Sequence, residues 1–328
     1  MPYRRCGHSG LLLPEISLGL WQNFGDGAEP AQARAVIARA IDKGVTHFDL
    51  ANNYGPPPGA AEERFGALLE KEFFSLRDQL VISSKAGHLM WPGPYGQGGS
   101  RKHLLASLDQ SLKRLRLDYV DIFYSHRFDP DTPLEETMGA LETAVKSGKA
   151  LYAGISNYTA AQSAEACRLL KGAGVPCLVH QGLFNLLQSR SEDVVDAVEN
   201  LGIGFVAFSP LAQGLLSERY AGGIPADSRA AREGADSPLY QRALTEQPKI
   251  AAFEKIARSR GQSLAQMALS WLLHFPQLTS VITGARNVGQ LDEQLAAAGN
   301  SQFSPQELRQ IEAIRLGGDP QPSRTVVA

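Results

Sequence analysis

The sequence predicts a (β/α)8 TIM barrel with an N-terminal β-hairpin and a C-terminal helix, with residues 1–328 as a single domain. Eight strand-like apolar runs alternate with helical patterns along the chain. Such alternation predicts a parallel sheet, and eight units in about 300 residues fit a closed barrel. A doubly wound open sheet is the alternative, but no GxGxxG motif follows the first strand and no GxxxxGK[ST] motif is present.

Hydrophobic periodicity and end signals place the individual elements. Residues 2–14 predict a hairpin that turns at His8-Ser9-Gly10. The eight strand-like runs cover 16–21, 46–51, 80–86, 119–126, 150–156, 177–184, 204–210 and 279–285. Helical spacing is found at 31–43, 60–72, 101–116, 133–147, 159–171, 192–200, 247–259, 287–298 and 304–316. Ser100 and Ser304 are expected N-caps, and glycines mark several helix ends, at Gly44, Gly148, Gly174 and Gly202.

Composition excludes several classes of protein. The chain has 43% hydrophobic and 20% charged residues, a net charge of -2 and a pI near 6.4. This balance provides no basic footprint for nucleic acid and no polybasic membrane anchor. The three cysteines, Cys6, Cys167 and Cys177, form no CxxC pair, and neither a secretion signal nor a spanning apolar run is visible. We therefore expect a cytoplasmic protein with reduced thiols.

Titratable side chains stand at the carboxyl ends of three successive predicted strands, namely Asp49, Lys85 and His126. Tyr54 follows Asp49 by five residues, on a loop. Because active sites of barrels lie at the carboxyl ends of the strands, we expect these four side chains to meet. Each of them alone has an ordinary structural interpretation, such as a capping acid or a solvated lysine. Their combination predicts an active site.

The other predicted strands also end in polar or aromatic groups. These are Trp21, Ser156-Asn157, Gln181, Ser209 and Gly284-Ala285-Arg286. Two long irregular segments, 88–100 and about 212–247, connect elements at the same face. Loops of this length inside a compact domain are usually lids or binding loops. The whole carboxyl face therefore has the character of a binding surface.

The four side chains limit the possible chemistry. They include no good nucleophile, and one imidazole with one carboxylate falls short of the three protein ligands usual for catalytic zinc, so we expect no metal. A lysine ammonium near Tyr54 is expected to lower the pKa of the phenol from about 10. The phenol could then protonate a carbonyl oxygen to which His126 donates a second hydrogen bond. A hydride from a nicotinamide would supply the missing nucleophile.

The chain resembles the aldo-keto reductases over nearly its whole length. The Asp–Tyr–Lys–His tetrad of that family falls on Asp49, Tyr54, Lys85 and His126 in the same strand context. The resemblance implies that Tyr54 is the general acid and that Lys85 and Asp49 tune its proton affinity. It also implies that His126 orients the substrate carbonyl.

The same resemblance implies an NADPH site across the barrel mouth. The nicotinamide amide would meet Ser156, Asn157 and Gln181, and Arg286 could pair with a 2′-phosphate, which favours NADPH. Residues 209–217 resemble the loop that covers the pyrophosphate, whereas 284–286 and 290–294 resemble the adenosine site, where the family usually has Asn in place of Gln294. The implied cofactor residues are Trp21, Ser156, Asn157, Gln181, Ser209, Pro210, Leu211, Gly214, Leu216, Ser217, Gly284, Arg286, Gln290, Glu293 and Gln294.

Three segments, 52–59, 99–104 and 125–133, are similar to the bacterial L-glyceraldehyde 3-phosphate reductases. That group also reduces methylglyoxal, is related to potassium-channel β-subunits and forms tetramers or larger homo-oligomers. The expected substrate residues are Trp21, Tyr54, Trp91, His126 and Arg127. Arg127 could bind a substrate phosphate, but a local ion pair with Asp129 is an equal alternative.

These residues leave three functions open. The first is an NADPH-dependent carbonyl reductase that converts small aldehydes into alcohols, and the second is a cofactor-sensing regulatory subunit of the channel β type. The intact tetrad, and a chain that begins almost directly at the hairpin, favour the enzyme. The third is a barrel aldolase with Lys85 as its Schiff-base amine. Asp49 argues against it, because a neighbouring carboxylate keeps that amine charged.

Overall fold

A closed barrel of eight parallel strands forms the centre of the protein, which confirms the predicted fold class. The computed structural model describes residues 1–188 and 192–317, so 189–191 and 318–328 of the expected single domain lie outside the described residues. The strands pair in chain order, and the last closes onto the first. They are β3 (Ile16–Gly19), β4 (His47–Asp49), β5 (Val81–Ala86), β6 (Val120–Ser125), β7 (Ala150–Ser156), β8 (Cys177–Leu183), β9 (Gly204–Phe208) and β10 (Leu278–Thr283).

The predicted N-terminal hairpin is present and packs into the barrel interior. Strands β1 (Tyr3–Arg5) and β2 (Leu12–Pro14) pair antiparallel. Cys6 and Leu13 are fully buried among inward-facing residues of the barrel such as Ile122 and Val206. The hairpin packs against the barrel through its apolar face. The predicted tetrad lies at the opposite end of the barrel, at the carboxyl ends of β4, β5 and β6.

Helices cover the outer face of the barrel, and most lie where the periodicity predicts them. Ser100 and Ser304 both act as N-caps, as expected, by accepting hydrogen bonds from the first turn. The helices are α1 (Pro30–Asp42), α2 (Ala60–Leu68, extended by one π-turn), α3 (Arg101–Leu115), α4 (Leu134–Lys146), α5 (Ala160–Gly172), α6 (Glu192–Leu201), α7 (Arg229–Glu233), α8 (Pro238–Ser259), α9 (Leu264–His274), α10 (Val288–Leu295) and α11 (Pro305–Arg315).

Two helices correct the sequence interpretation. Helix α9 was not predicted, because it is apolar on nearly all sides and therefore lacks an amphipathic period. Helix α8 begins at Pro238 rather than at 247, since Ser237 caps its first turn and the helix continues through Pro248. The segment 212–247 is consequently less irregular than expected, and it also contains the short helix α7.

No helix in residues 1–188 or 192–317 is long and apolar enough to cross a membrane.

Candidate active site

A buried ion pair joins the ends of β4 and β5. Lys85 Nζ lies 2.6 Å from Asp49 Oδ2 and donates a second hydrogen bond of 2.6 Å to the carbonyl of Leu50. Both side chains are at most 2% exposed. Asp49 Oδ1 accepts hydrogen bonds from Ser83 (2.8 Å) and Gln181 (2.9 Å). Because every charge has partners, the pair can persist in the core, whereas either member alone would be costly to bury.

Burial and the ion pair with Asp49 shift the pKa of Lys85 in opposite directions. Burial lowers the pKa of Lys85, and the charge and hydrogen bond of Asp49 raise it. An amine that is fully buried and already donates to two oxygens is poorly placed to attack a carbonyl carbon. The geometry therefore disfavours a Schiff base at Lys85.

Tyr54 lies above this pair, where the sequence predicts it. Its ring centroid is 5.1 Å from Lys85 Nζ, 6.0 Å from the ring of His126 and 6.3 Å from that of Trp21. Burial, and secondly the charge of Asp49, raise the pKa of Tyr54 well above its usual value. The expected lowering by the lysine is therefore wrong for the free protein, since the ammonium is directed at Asp49. The phenol stays protonated at neutral pH, as a proton donor requires.

The loop that carries Tyr54 is held in place by its own backbone. Its amide donates to the carbonyl of Ala51 (3.0 Å), and its carbonyl accepts from the amide of Gly59 (3.1 Å). On the other side, Gly25 approaches so closely that a Cβ atom there would lie 2.2 Å from the carbonyl oxygen of Pro56. A larger residue at position 25 would push the loop outward, so the position of the phenol depends on this contact.

His126, at the end of β6, completes the group. Its ring meets Tyr54 edge to face, and the ring of His88 packs against it at 4.4 Å. Burial lowers the pKa of His126 well below its usual value, assisted by the charges of Lys85, His88 and Arg127. The imidazole is therefore neutral at pH 7 and can donate one hydrogen bond without bringing a positive charge. Its Nδ1 atom is buried without a partner among the described residues.

A cavity of about 430 Å³ opens beside Tyr54 and reaches β10. Asp49 and Tyr54 form part of its wall. The implied cofactor residues that line it are Trp21, Ser209, Pro210, Leu211, Gly214, Ser217, Gly284, Arg286, Gln290, Glu293 and Gln294. Directly after β9, the backbone adopts left-handed angles at Ser209, Ala212 and Gln213 (φ 51°, 48° and 61°). The chain is thereby bent sharply along this wall of the cavity.

Four implied cofactor residues lie outside this lining. Gln181 donates to Asp49, and Asn157 donates to the carbonyl of His126 (3.1 Å) and to Ser156 (3.0 Å). These three side chains thus contact tetrad residues or one another. Leu216 is fully buried.

Of the expected substrate residues, Trp21 and Tyr54 line the cavity, whereas Trp91, His126 and Arg127 lie outside its lining. Trp91 packs on His103 with ring centroids 5.1 Å apart, and Arg127 donates to the carbonyl of Gly87 (3.1 Å). The carboxylate of Asp129 accepts instead from the Gly99 amide (2.6 Å), from Thr132 and from the Asp131 amide. Within the part of the chain that the structure describes, no salt bridge engages Arg127, so the local ion pair with Asp129 is not formed.

Several cavity residues are absent from the sequence-based assignment. Arg219, Arg229 and Arg232 line the cavity, with the guanidinium of Arg229 at 5.3 Å from the ring of Trp21. Arg219 pairs with Asp227, and Arg229 pairs with Glu233. They belong to the segment 212–247, in which the clustering of arginines was the available signal. His88 is also new, because only the fold brings it onto His126.

These side chains can hold a proton and polarise a carbonyl oxygen, but they do not supply a nucleophile. Such a set of side chains suits a barrel enzyme whose nucleophile is supplied by a cofactor. Comparison with known families agrees, since the aldo/keto reductase family matches residues 15–316. The chain belongs to the aldo/keto reductase family, whose members use nicotinamide cofactors.

Individual relatives confirm the resemblance to the L-glyceraldehyde 3-phosphate reductases and the more distant relation to potassium-channel β-subunits. The L-glyceraldehyde 3-phosphate reductase of Escherichia coli (strain K12) is 54% identical over 324 residues, which cover 97% of this chain and 94% of that protein. Two proteins described as probable voltage-gated potassium channel subunit beta are more distant. That of Oryza sativa subsp. japonica is 36% identical over 323 residues (96% of each chain), and that of Arabidopsis thaliana is 37% identical over 305 residues (90% and 91%).

Proposed function

We propose that the protein is an NADPH-dependent carbonyl reductase that converts small aldehydes, including L-glyceraldehyde 3-phosphate and methylglyoxal, into alcohols. The observation that carries this proposal is the phenol ring of Tyr54 set over the buried amine of Lys85 and beside the imidazole of His126. The proposal includes a cytoplasmic homo-oligomer of four or more subunits with residues 1–328 as one domain. Its proposed binding partner is a small aldehyde substrate, and binding to nucleic acid or to a membrane is not part of the proposal.

Unpartnered polar atoms in the cavity support the cofactor. Thr283 and Gln294 line the cavity, and Thr283 Oγ1 and Gln294 Oε1 are buried without a partner among the described residues. Gln294 Nε2 already donates to the carbonyl of Gly284 (3.1 Å), so its free oxygen is suited to accept from an amino group such as that of adenine. The residues present therefore fit a nicotinamide dinucleotide, which would supply a hydride when bound.

Each tetrad residue then has one task. Tyr54 keeps its proton until negative charge develops on the substrate oxygen and gives it up at that moment. Lys85 stabilises the phenolate that remains, and Asp49 keeps Lys85 charged and oriented. His126 donates a hydrogen bond to the same oxygen, which fixes the carbonyl and stabilises the developing charge.

Replacing Arg286 with alanine is expected to weaken NADPH binding by about tenfold to a hundredfold and NADH binding little. The reason is that a charge-assisted hydrogen bond to a phosphate contributes about 1.5–3 kcal/mol. Dissociation constants from fluorescence titration with both cofactors would measure the difference. Arg39→Ala, outside the cavity and paired with Asp292, is the matched control. An equal effect on both cofactors would remove Arg286 from the 2′-phosphate site.

Replacing Arg127 with glutamine is expected to raise the KM for L-glyceraldehyde 3-phosphate by about tenfold to a hundredfold. The KM for methylglyoxal, which has no phosphate, should change little. The guanidinium makes no salt bridge in residues 1–188 and 192–317, so its charge is available to an anion. Initial rates over a range of each substrate would show the split, with Arg116→Gln on the surface as control. Equal losses with both aldehydes would contradict a phosphate contact.

The function itself is tested by NADPH oxidation with methylglyoxal and L-glyceraldehyde 3-phosphate side by side. Turnover that disappears in Tyr54→Phe would support the reductase. Tight NADPH binding without turnover of either aldehyde would favour the alternative, a cofactor-sensing regulatory subunit, to which the more distant channel β relatives point. Failure to bind NADPH would refute the proposed cofactor site.

A further inference from the structure

A continuous hydrogen-bonded network runs through the barrel interior and ends on Asp49. We call it the His47 network and define it by the side chains of Asp49, Ser83, His47, Ser17 and Ser280 together with the carbonyl of Pro14. Its links are Asp49–Ser83 (2.8 Å), Ser83–His47 Nε2 (3.1 Å), His47 Nδ1–Ser17 (2.9 Å), Ser17–Ser280 (2.6 Å) and Ser280–Pro14 (2.6 Å). All five side chains are at most 2% exposed, so solvent does not complete these contacts.

The network needs one more proton than its resting groups provide. Both of its ends are acceptors, a carboxylate and a backbone carbonyl, so each of the five links requires its own proton. Three serine hydroxyls and one N–H of a neutral imidazole supply only four. The network is therefore complete only when His47 is doubly protonated or when Asp49 carries a proton.

The group that lacks a proton in this network is the imidazole of His47. Ser280 donates to Pro14, so it accepts from Ser17, and Ser17 in turn accepts from Nδ1–H of His47. At the other end the single hydroxyl proton of Ser83 goes to Asp49, which leaves Nε2 of His47 as the required donor as well. The network thus requires both ring nitrogens to donate at once, but a neutral imidazole has only one N–H group and can donate through only one nitrogen.

We propose that His47 is a positioning residue of the active site, which through Ser83 sets the orientation of the Asp49 carboxylate. This inference rests on the proposed function, because Asp49 holds Lys85 beneath the phenol of Tyr54. Donation from Nε2–H of His47 fixes the hydroxyl of Ser83 so that its proton points to Asp49. When that donation is lost, Asp49 loses a hydrogen-bond donor.

The charged groups acting on His47 are Asp49 and Lys85. Burial lowers the pKa of His47 to about 4, with Asp49 raising it and Lys85 lowering it further. At neutral pH the imidazole is accordingly uncharged, and the network is one proton short. The hydroxyl group of Ser83 is the hydrogen-bonded link between His47 and Asp49.

The kinetic test compares His47→Gln, Ser83→Ala and the double variant across pH 5 to 10, with NADPH and methylglyoxal. We expect each single change to move the acid limb of kcat/KM upward by about one pH unit, because the carboxylate that holds Lys85 then loses the hydrogen bond of Ser83. The double variant should shift it no further, since both changes break the same link. The dissociation constant for NADPH should stay unchanged. Ser83→Thr, which keeps the hydroxyl group, should restore the wild-type profile.

Ser84→Ala is the matched control for a purely structural loss. Ser84 is the next residue on β5, and its buried hydroxyl donates to Glu62 (2.5 Å) rather than to Asp49. It should lower the free energy of unfolding like Ser83→Ala but leave the pH profile in place. A wild-type profile in His47→Gln, or the same shift in Ser84→Ala, would overturn the proposal.

A spectroscopic readout keeps this inference separate from the proposed function. In protein labelled with 15N-histidine, His47→Gln identifies the His47 signals among the seven histidines. We expect Ser83→Ala to move these signals to a single tautomer with the proton on Nδ1, because Ser17 is then the remaining partner. Unchanged signals would refute the network. Absence of aldehyde turnover in the wild-type protein would instead refute the reductase.

Discussion

Replacing Tyr54 with phenylalanine is expected to lower kcat by about 10²- to 10⁴-fold, the range that a positioned general acid contributes. The dissociation constant for NADPH should stay nearly unchanged, because the phenol proton is transferred in the transition state and contributes little to ground-state binding. Stopped-flow single turnovers with methylglyoxal, combined with a fluorescence titration of the cofactor, would measure both quantities on one preparation.

Tyr158→Phe is the matched control for this variant. Tyr158 is also a buried tyrosine near the carboxyl end of the barrel, but its hydroxyl contacts Ser125 rather than the tetrad. It should retain most of the activity. If Tyr54→Phe kept near wild-type turnover, another group would have to be the proton donor.

Replacing Lys85 with methionine is expected to abolish turnover and to lower the free energy of unfolding by about 3–5 kcal/mol. Methionine has a similar length, so little volume is lost. The damage comes from Asp49, which would stay in the core as a carboxylate without its cation. Denaturant unfolding followed by circular dichroism would give the stability change, and NADPH oxidation would give the activity.

The double variant Asp49→Asn with Lys85→Met separates stability from catalysis. Removing both charges relieves the unpaired carboxylate, so most of the lost stability should return. Activity should not return, because nothing then stabilises the phenolate of Tyr54. If the double variant were no more stable than Lys85→Met, the buried charge would not be the cause of the instability.

Much of the barrel follows from local pattern. The eight strands and most of the surrounding helices lie where alternation and helical spacing place them, because each pattern is set by residues close in sequence. The proximity of Asp49, Tyr54, Lys85 and His126 was predictable for a related reason. Once the strands are known to be parallel and closed, their carboxyl ends must meet at one rim.

Other features depended on contacts between distant segments. Helix α9 is buried on nearly all sides, so its sequence shows no amphipathic pattern from which the helix could be predicted. The ion pair between Arg127 and Asp129 is not formed, because the amide of Gly99 and the hydroxyl of Thr132 donate to the carboxylate of Asp129 instead. The arginines of segment 212–247 became cavity residues only because the chain folds back over the barrel mouth.

The sequence by itself predicted the closed barrel, and it placed Asp49, Lys85 and His126 at the carboxyl ends of strands with Tyr54 on the loop after Asp49. Tertiary structure alone decided their electrostatics, including the raised pKa of Tyr54 and the neutral state of His126. It also assembled the His47 network from β3, β4, β5 and β10. The physical reason is that periodicity is local, whereas burial and hydrogen bonding depend on distances between side chains that the sequence keeps far apart.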